Sequence, residues 1–205
     1  DRVCCYITSP DKFYSKMVLN SVSMLRAHNK TVKVRVFVVG KDGEEAELVD
    51  KYADFLNIEV VRKPWTKSAA EQKYFILNRE YLGECPESSV LHIDGDTFIF
   101  GDVEKIFERY KDVDFAGAVD QYITNSPDWD RGNMDKTFEY FGAFPVHVFN
   151  GGVTLWNNGT VRGWTDGFLA DACARCESGE LPIYPWLING GRDCYHKETF
   201  AVCLY

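Results

Sequence analysis

Short runs rich in valine and isoleucine alternate along this chain with segments that have the periodicity of amphipathic helices. The run Val32–Val39 ends at Gly40 and is typical of a strand buried inside a sheet. Residues 12–28 instead carry apolar side chains at helical spacing. Strands that alternate with helices predict the α/β class, in which helices cover a mostly parallel sheet. A length of 205 residues favours a single domain over residues 1–205.

The same patterns predict the order of the elements along the chain. Strands are predicted at Val3–Thr8, Val32–Val39, Ile58–Val61, Val90–Ile93 and Asp114–Val119, and after the loop Val148–Asn150 runs into Gly151–Trp156. Helices are predicted over residues 12–28, 44–52, 68–82, 103–110 and 162–177. Residues 121–147 lack periodicity, and so long a stretch inside a compact domain is usually a functional or mobile loop. Its aromatic side chains form either a platform for a bound ligand or ordinary packing beneath the loop: Tyr122, Trp129, Tyr140, Phe141 and Phe144.

The charge balance limits the partners that the chain can bind. The formal net charge is -8, and no run rich in lysine or arginine is present. Nucleic acids and anionic membranes are therefore not expected as partners. No segment approaches the roughly 20 apolar residues that a membrane span needs. A diphosphate substrate would be repelled by carboxylates, so it would need a divalent cation between the two.

The seven cysteines are interpreted as free thiols rather than as a disulfide framework. Cys4 and Cys5 are adjacent on a predicted strand, so they are expected to point to opposite faces of the sheet. Cys173 and Cys176 form a CxxC pattern inside a predicted helix, but no second pair accompanies it. Buried thiols are expected there rather than a zinc or redox site. This usage favours a reducing compartment, the cytoplasm.

The most informative local feature is the segment Leu91–Thr97, in which an apolar strand leads into Asp94, Gly95 and Asp96. In open α/β sheets, ligands bind at the carboxyl ends of the strands. Two carboxylates separated by one glycine can reach the same ion, and hard oxygen ligands of this kind suit Mg²⁺ or Mn²⁺. The alternative is a solvated acidic turn, because Asp and Gly are favoured in turns.

The context of this pair resembles that of glycogenin-like glycosyltransferases (glycosyltransferase family 8 and its relatives). The run Val90–Phe107 is similar to their D-x-D segment, and Phe149–Val153 is similar to their F-N-[SA]-G-V motif. The first strand, the Thr8-Ser9 turn and the helix that follows are similar to the opening of that family. Together these matches cover about 160 residues in the right order. The resemblance implies a single Rossmann-like GT-A domain with a mostly parallel central sheet flanked by helices.

The resemblance also implies an activity: metal-dependent transfer of a sugar from a UDP-sugar to a hydroxyl of a glycan or protein acceptor. Thr8, Ser9 and Asp11 would lie where the base and ribose bind, unless they only form a strand-to-helix turn with an N-cap. Asp94 and Asp96 would bind the Mn²⁺ (or Mg²⁺) that bridges the two phosphates, with Asp94 also near the ribose. Gly95, between them, would belong to the same donor-binding segment.

Four further donor-binding positions follow from the same resemblance. Lys73 would approach the diphosphate or the sugar, although a solvated helix lysine explains it almost as well. Asn150, Gly151 and Gly152 would line the pocket near the transferred sugar, where glycines allow a close approach of the backbone. They could also be a plain loop-to-strand turn.

Two family features are missing, so the catalytic residues stay unassigned. The stretch Tyr184–Asn189 lacks the acid and amide that the family places beside the sugar, and the late metal-binding His segment is absent. His196 is a candidate third metal ligand, with a surface histidine as the alternative. Family precedent implies a hexosyltransferase that retains the anomeric configuration. The candidate bases are Asp120, Asp166 and Asp193.

Two other functions are compatible with the pattern. A sugar-1-phosphate nucleotidyltransferase would share the fold and the metal, but it normally has a glycine-rich basic loop after the first strand, which Ser9–Lys12 is not. A non-catalytic nucleotide-sugar or carbohydrate-binding module would bind the donor without turnover.

Overall fold

The computed structural model describes residues 1–41, 46–64, 81–122 and 147–159, with the backbone alone at 118–122 and 147–151. The predicted helix over 162–177, most of that over 68–82 and most of the loop over 121–147 lie outside these residues. Nine elements follow in order: β1 Arg2–Thr8, α1 Lys12–His28, β2 Lys33–Gly40, α2 Glu47–Leu56, β3 Ile58–Pro64, β4 Ser89–Ile93, α3 Glu104–Arg109, β5 Phe115–Tyr122 and β6 His147–Trp156.

Four predicted boundaries were wrong by three or four residues: helix α2 begins later and ends later than predicted, and strands β3 and β5 both end later. Helix α2 continues to Leu56, four residues past the predicted end, because the residue that ends it is Asn57. Asn57 has a left-handed backbone (φ 50°), and its N–H donates to the carbonyls of Ala53 and Asp54. Strand β3 continues past Val61 to Pro64, because its last residues keep pairing with β2. A proline is tolerated there since β3 lies at the edge of the described sheet.

The six strands form one sheet in the order β3-β2-β1-β4-β6-β5. Strands β3, β2, β1 and β4 are mutually parallel, and β6 runs antiparallel to both β4 and β5. The α/β class and the mostly parallel central sheet are therefore confirmed. Parallel neighbours β1 and β4 end at the same edge of the sheet, which sets the position of the candidate site.

Each face of the sheet carries its own apolar core. Helices α1, α2 and α3 pack on one face, against Cys4, Tyr6, Leu91 and Ile93 among others. The other face buries Cys5 in a smaller cluster. Cys4 and Cys5 therefore point to opposite faces, as predicted, and both are fully buried thiols. No helix in the described ranges is long and apolar enough to cross a membrane.

A charged cluster lies at the rim of the smaller core. Arg35 of β2 donates two hydrogen bonds to Glu87, at 2.8 and 3.1 Å, and one to Glu59 at 2.9 Å. Lys33 donates to Glu87 at 2.6 Å. Burial alone would raise the pKa of Glu87, but the bonds from Arg35 and Lys33 outweigh it and lower this pKa to about 2. Glu87 is therefore ionised at neutral pH although its side chain is only 5% exposed.

Candidate functional site

A pocket of about 490 Å³ opens where β1 and β4 end. It is lined by Thr8 and Ser9 from the end of β1 and by the three residues that follow β4, Asp94, Gly95 and Asp96. The parallel pairing of β1 with β4 brings these two segments together, since the carboxyl ends of parallel strands meet at one edge. Five of the ten predicted donor-binding residues thus line one pocket.

The two carboxylates leave the strand through a tight turn. The N–H of Thr97 donates to the carbonyl of Asp94 at 3.0 Å, which closes the turn around Gly95 and Asp96. The Asp94 side chain is 35% exposed, and Asp96 is exposed as a residue. The arrangement presents two hard oxygen donors to the pocket while the backbone is held by the sheet.

Gly95 is required at this turn by a close approach to helix α1. A Cβ atom placed on Gly95 would lie 2.7 Å from Cγ2 of Val18 and 3.3 Å from its backbone N. Val18 is buried, and a β-branched side chain on a helix has one strongly preferred rotamer, so it cannot turn aside easily. The absence of a side chain at Gly95 therefore lets the turn pack directly against α1.

The side chain of His92 contacts that of Asp94, the first residue of the turn. It is 1% exposed, as expected for a packed core residue, and its Nε2 lies 3.5 Å from Oδ1 of Asp94. The two side chains share a face of the sheet because they are two residues apart along an extended segment. The sequence does not indicate this contact: Leu91 and Ile93 flank His92 in an apolar strand, which indicates only that it is buried.

Strand β6 brings the Asn150–Gly152 segment to the carboxylates. The N–H of Asp94 donates to the carbonyl of Gly152 at 2.7 Å, which extends the antiparallel pairing of β4 with β6. On the other side, Gly117 pairs with Thr154 but Ala118 pairs with Asn150, so β6 carries a bulge over the two glycines and Val153. Bulges of this kind are common beside active sites. The backbone of this predicted site segment thus lies next to Asp94.

The first strand-to-helix turn has both a structural role and an open polar group. Asp11 caps α1, since its Oδ1 accepts the N–H of Phe13 at 2.7 Å. Its predicted contact with a donor stays a prediction. Oγ of Ser9 is buried without a hydrogen-bond partner among the described residues, although it lies in a segment that lines the pocket. A bound ligand could supply that partner.

Tyr14 is a pocket residue that the sequence analysis missed. It lies on the first turn of α1, lines the pocket and is 55% exposed. Met17 and Val18, three and four residues on, lie on the same side of the helix and complete that wall. The helical period assigned Met17 and Val18 to the core and left Tyr14 unassigned, whereas an aromatic residue in the first turn after the N-cap was the available signal.

Several predicted residues lie outside the described part of the chain. They are Lys73, His196, Asp166, Asp193 and most of the aromatic loop, and the side chain of Asp120 is likewise not described. Within the residues that are described, no group of three or more His, Cys, Asp or Glu side chains could hold a metal ion.

Neither a protein-family model nor a curated protein sequence matches this chain. Its fold, however, is shared with solved glycosyltransferases. Galactosyltransferase LgtC, solved with donor and acceptor sugar analogs, matches with a TM-score of 0.60 at 15% identity, over 96% of this chain and 70% of its own. Glycosyltransferase GlyE of Streptococcus pneumoniae TIGR4 matches with 0.56 at 15%, over 98% of this chain and 44% of its own. Mouse xyloside xylosyltransferase 1 matches with 0.53 at 13%, over 98% and 80%.

These similarities define the fold class. The sheet order and the pocket at the ends of β1 and β4 belong to a GT-A, Rossmann-like domain, as the resemblance implied. This chain spans less than half the length of GlyE.

Proposed function

We propose that this chain is a metal-dependent glycosyltransferase that moves a sugar from a UDP-sugar to a hydroxyl of a glycan or protein acceptor. The observation that carries the proposal is the pocket in which Thr8 and Ser9 meet Asp94 and Asp96 at one edge of the sheet. The GT-A fold supports it, because the similar structures are glycosyltransferases and one of them was solved with sugar analogs. The free thiols in the described part of the chain agree with the cytoplasmic location we expect.

In this proposal Asp94 and Asp96 hold a Mn²⁺ or Mg²⁺ ion. The donor set fits, because both side chains line the pocket, offer only carboxylate oxygens and leave room for waters and phosphate oxygens. Such an ion, when bound, supplies Lewis-acid stabilisation of the departing diphosphate. The amide of Asp94 is already used by Gly152, so the turn that presents the carboxylates is held before any ligand arrives.

The base, ribose, diphosphate and sugar of the donor are assigned to the other predicted donor-binding residues. Thr8 and Ser9 face the base and ribose, and the unpartnered Oγ of Ser9 is available to a ribose hydroxyl or a base edge. Lys73 is proposed for the diphosphate, where a positive charge stabilises the leaving oxygens. Gly151 and Gly152 are proposed for the sugar, since their bulge lets the backbone come close to a ligand.

The chemistry that remains for the protein is mainly positioning. As the anomeric bond breaks, the sugar gains oxocarbenium character and the diphosphate gains charge. The acceptor hydroxyl must be held near the anomeric carbon and give up its proton. Family precedent adds a hexose donor and retention of configuration to the proposal.

The metal role is tested by the affinity for UDP, measured by calorimetry with Mn²⁺ and with EDTA. Wild type is expected to bind UDP at least about tenfold more tightly with Mn²⁺, because the ion offsets the repulsion between carboxylates and diphosphate. Asp94→Ala and Asp96→Ala are each expected to abolish this difference.

Asp112→Ala is the matched control, since Asp112 is an exposed aspartate that does not line the pocket. It is expected to keep the full metal effect. Equal UDP affinity with and without Mn²⁺ in the wild type would reject the metal role. Turnover is tested separately: a panel of nucleotide sugars with Mn²⁺ is scored for slow donor hydrolysis, and binding without any hydrolysis or transfer would indicate a non-catalytic module.

A further inference from the structure

Two buried thiols lie in contact on the sheet face opposite helix α1. Sγ of Cys5, on β1, is 3.4 Å from Sγ of Cys85, which precedes β4 and is 80 positions later in the chain. Both residues are fully buried. We propose that Cys5 and Cys85 are a redox-sensitive pair that hydrogen peroxide converts reversibly to a disulfide.

The two sulfurs are already in contact. A disulfide has an S–S length of about 2.05 Å, so the two sulfurs must approach by about 1.4 Å. Both residues belong to the same small core cluster, and Cys85 follows a turn in which its own N–H donates to the carbonyl of Leu82. Cys4 offers a contrast, because it points to the opposite face of the sheet, into the larger core.

The surroundings make Cys85 the thiol that reacts first. The hydrogen bond from Cys5 lowers the pKa of Cys85 against the opposing effect of burial, and a hydrogen bond from the Arg35 guanidinium lowers it further. Burial, by contrast, raises the pKa of Cys5. A thiolate is the nucleophilic form, and it is favoured beside a fixed positive charge. Arg35 is itself fixed by Glu87 and Glu59, so its charge stays next to Cys85.

The oxidation balances with one peroxide. The Cys85 thiolate attacks one peroxide oxygen, the O–O bond breaks, and Cys85 sulfenic acid forms with release of hydroxide, which takes up the proton lost from Cys85. Sγ of Cys5 then attacks Sγ of Cys85, the S–O bond breaks, and water leaves with the proton of Cys5. The net change is two thiols and one peroxide to one disulfide and two waters. A dithiol reductant reverses it by thiol–disulfide exchange.

The cross-link would join β1, which leads to the pocket, to the segment that precedes β4. Cys5 pairs in register with His92, which contacts Asp94, and β1 itself continues to Thr8. Because the bridge closes a loop of about 80 residues, it removes much conformational freedom from the unfolded chain. The oxidised protein is therefore expected to unfold at a higher temperature than the reduced one.

The test is peptide mapping of the intact chain after exposure to hydrogen peroxide. Free thiols are alkylated under denaturing conditions, and trypsin then releases Cys5 in residues 3–12 and Cys85 in residues 80–105. The expected product is a species that joins these two peptides and disappears with dithiothreitol. The unfolding midpoint is expected to rise by about 5–10 °C on oxidation and to return on reduction.

Cys4 shares a tryptic peptide with Cys5, so variants assign the bridge. Cys4→Ala is expected to keep the cross-linked species, and Cys5→Ala and Cys85→Ala are each expected to lose both the species and the rise in midpoint. The proposal is overturned if peroxide leaves wild-type Cys5 and Cys85 alkylatable, oxidises Cys85 without a cross-link, or yields the same species in Cys5→Ala. The wild-type map decides the question even if an alanine variant does not fold.

Discussion

At the scale of single residues, Gly95 shows how packing shapes the candidate site. The turn that carries Asp94 and Asp96 lies so close to Val18 that no side chain fits between them. A glycine was expected there for backbone freedom, and the structure adds a second reason, which is contact with a helix that precedes it by many residues. Long-range contacts of this kind leave no local pattern in a sequence.

Gly95→Ala is expected to push the carboxylate turn away from α1 and to weaken Mn²⁺-dependent UDP binding by about tenfold, since overpacking costs about 1–3 kcal/mol. Calorimetry with UDP and Mn²⁺ measures the change. Gly101→Ala is the control, because a Cβ there meets nothing within 4 Å. The double variant Gly95→Ala, Val18→Ala is expected to recover affinity, and wild-type affinity in Gly95→Ala alone would contradict the explanation.

At the scale of elements, α1 is the helix that both supports and borders the pocket. Its N-cap, Asp11, lies two residues after the pocket residue Ser9, and its first turn supplies Tyr14. The start of this helix therefore fixes the direction of one pocket wall. Loss of the Asp11 cap would therefore disturb the pocket wall without altering Asp94 or Asp96.

Asp11→Ala is expected to lower the free energy of unfolding by about 1 kcal/mol, because the N–H of Phe13 loses its acceptor. Asp11→Asn keeps a capping oxygen and is expected to stay near wild type. Urea unfolding of the three proteins measures the difference. Equal stability of Asp11→Ala and wild type would show that the cap contributes nothing.

The sequence predicted the described helices α1 to α3 and strands β1 to β5, because hydrophobic period and turn residues are local properties. The resemblance to glycogenin-like glycosyltransferases implied that Thr8, Ser9, Asp94 and Asp96 belong to one donor site, and these residues do line one pocket. The sequence missed the end of α2, where a left-handed Asn57 ends the helix, and the bulge at Gly151–Gly152, which depends on the neighbouring strand. It missed Tyr14 because helical period alone does not separate a core face from a pocket wall.

At the scale of the whole molecule, the buried ionic cluster links the sheet to the segment before β4. Glu87 lies between Arg35 and Lys33 of β2, although it is 52 and 54 positions away from them in the chain. Its pKa is about 2 in the folded protein against an ordinary 4.5. A depressed carboxyl pKa stabilises the fold fully above pH 4.5, and this stability is lost as the pH falls towards 2.

Glu87→Gln is expected to destabilise the protein at pH 7 by about 3 kcal/mol, because the buried Arg35 loses one of its two carboxylate partners and keeps only Glu59. Between pH 5 and 2 the variant is expected to lose less stability than wild type. Urea unfolding across this pH range measures both effects. Glu108→Gln, which removes a surface partner of Arg2, is the control, and its free energy of unfolding is expected to stay near that of wild type. If the stability of Glu87→Gln falls with pH as it does in wild type, Glu87 is not the source of the acid sensitivity.

Strand β6 lies between β4 and β5, although both of them are made earlier on the ribosome. In the described sheet, β5 pairs only with β6, so it has no neighbour to join until β6 has been translated. Until then β4 also presents an open edge, and the amide of Asp94 has not met Gly152. We therefore expect the closing of this sheet to be a late step in folding, because β4 and β5 gain their shared neighbour only after β6 has been translated.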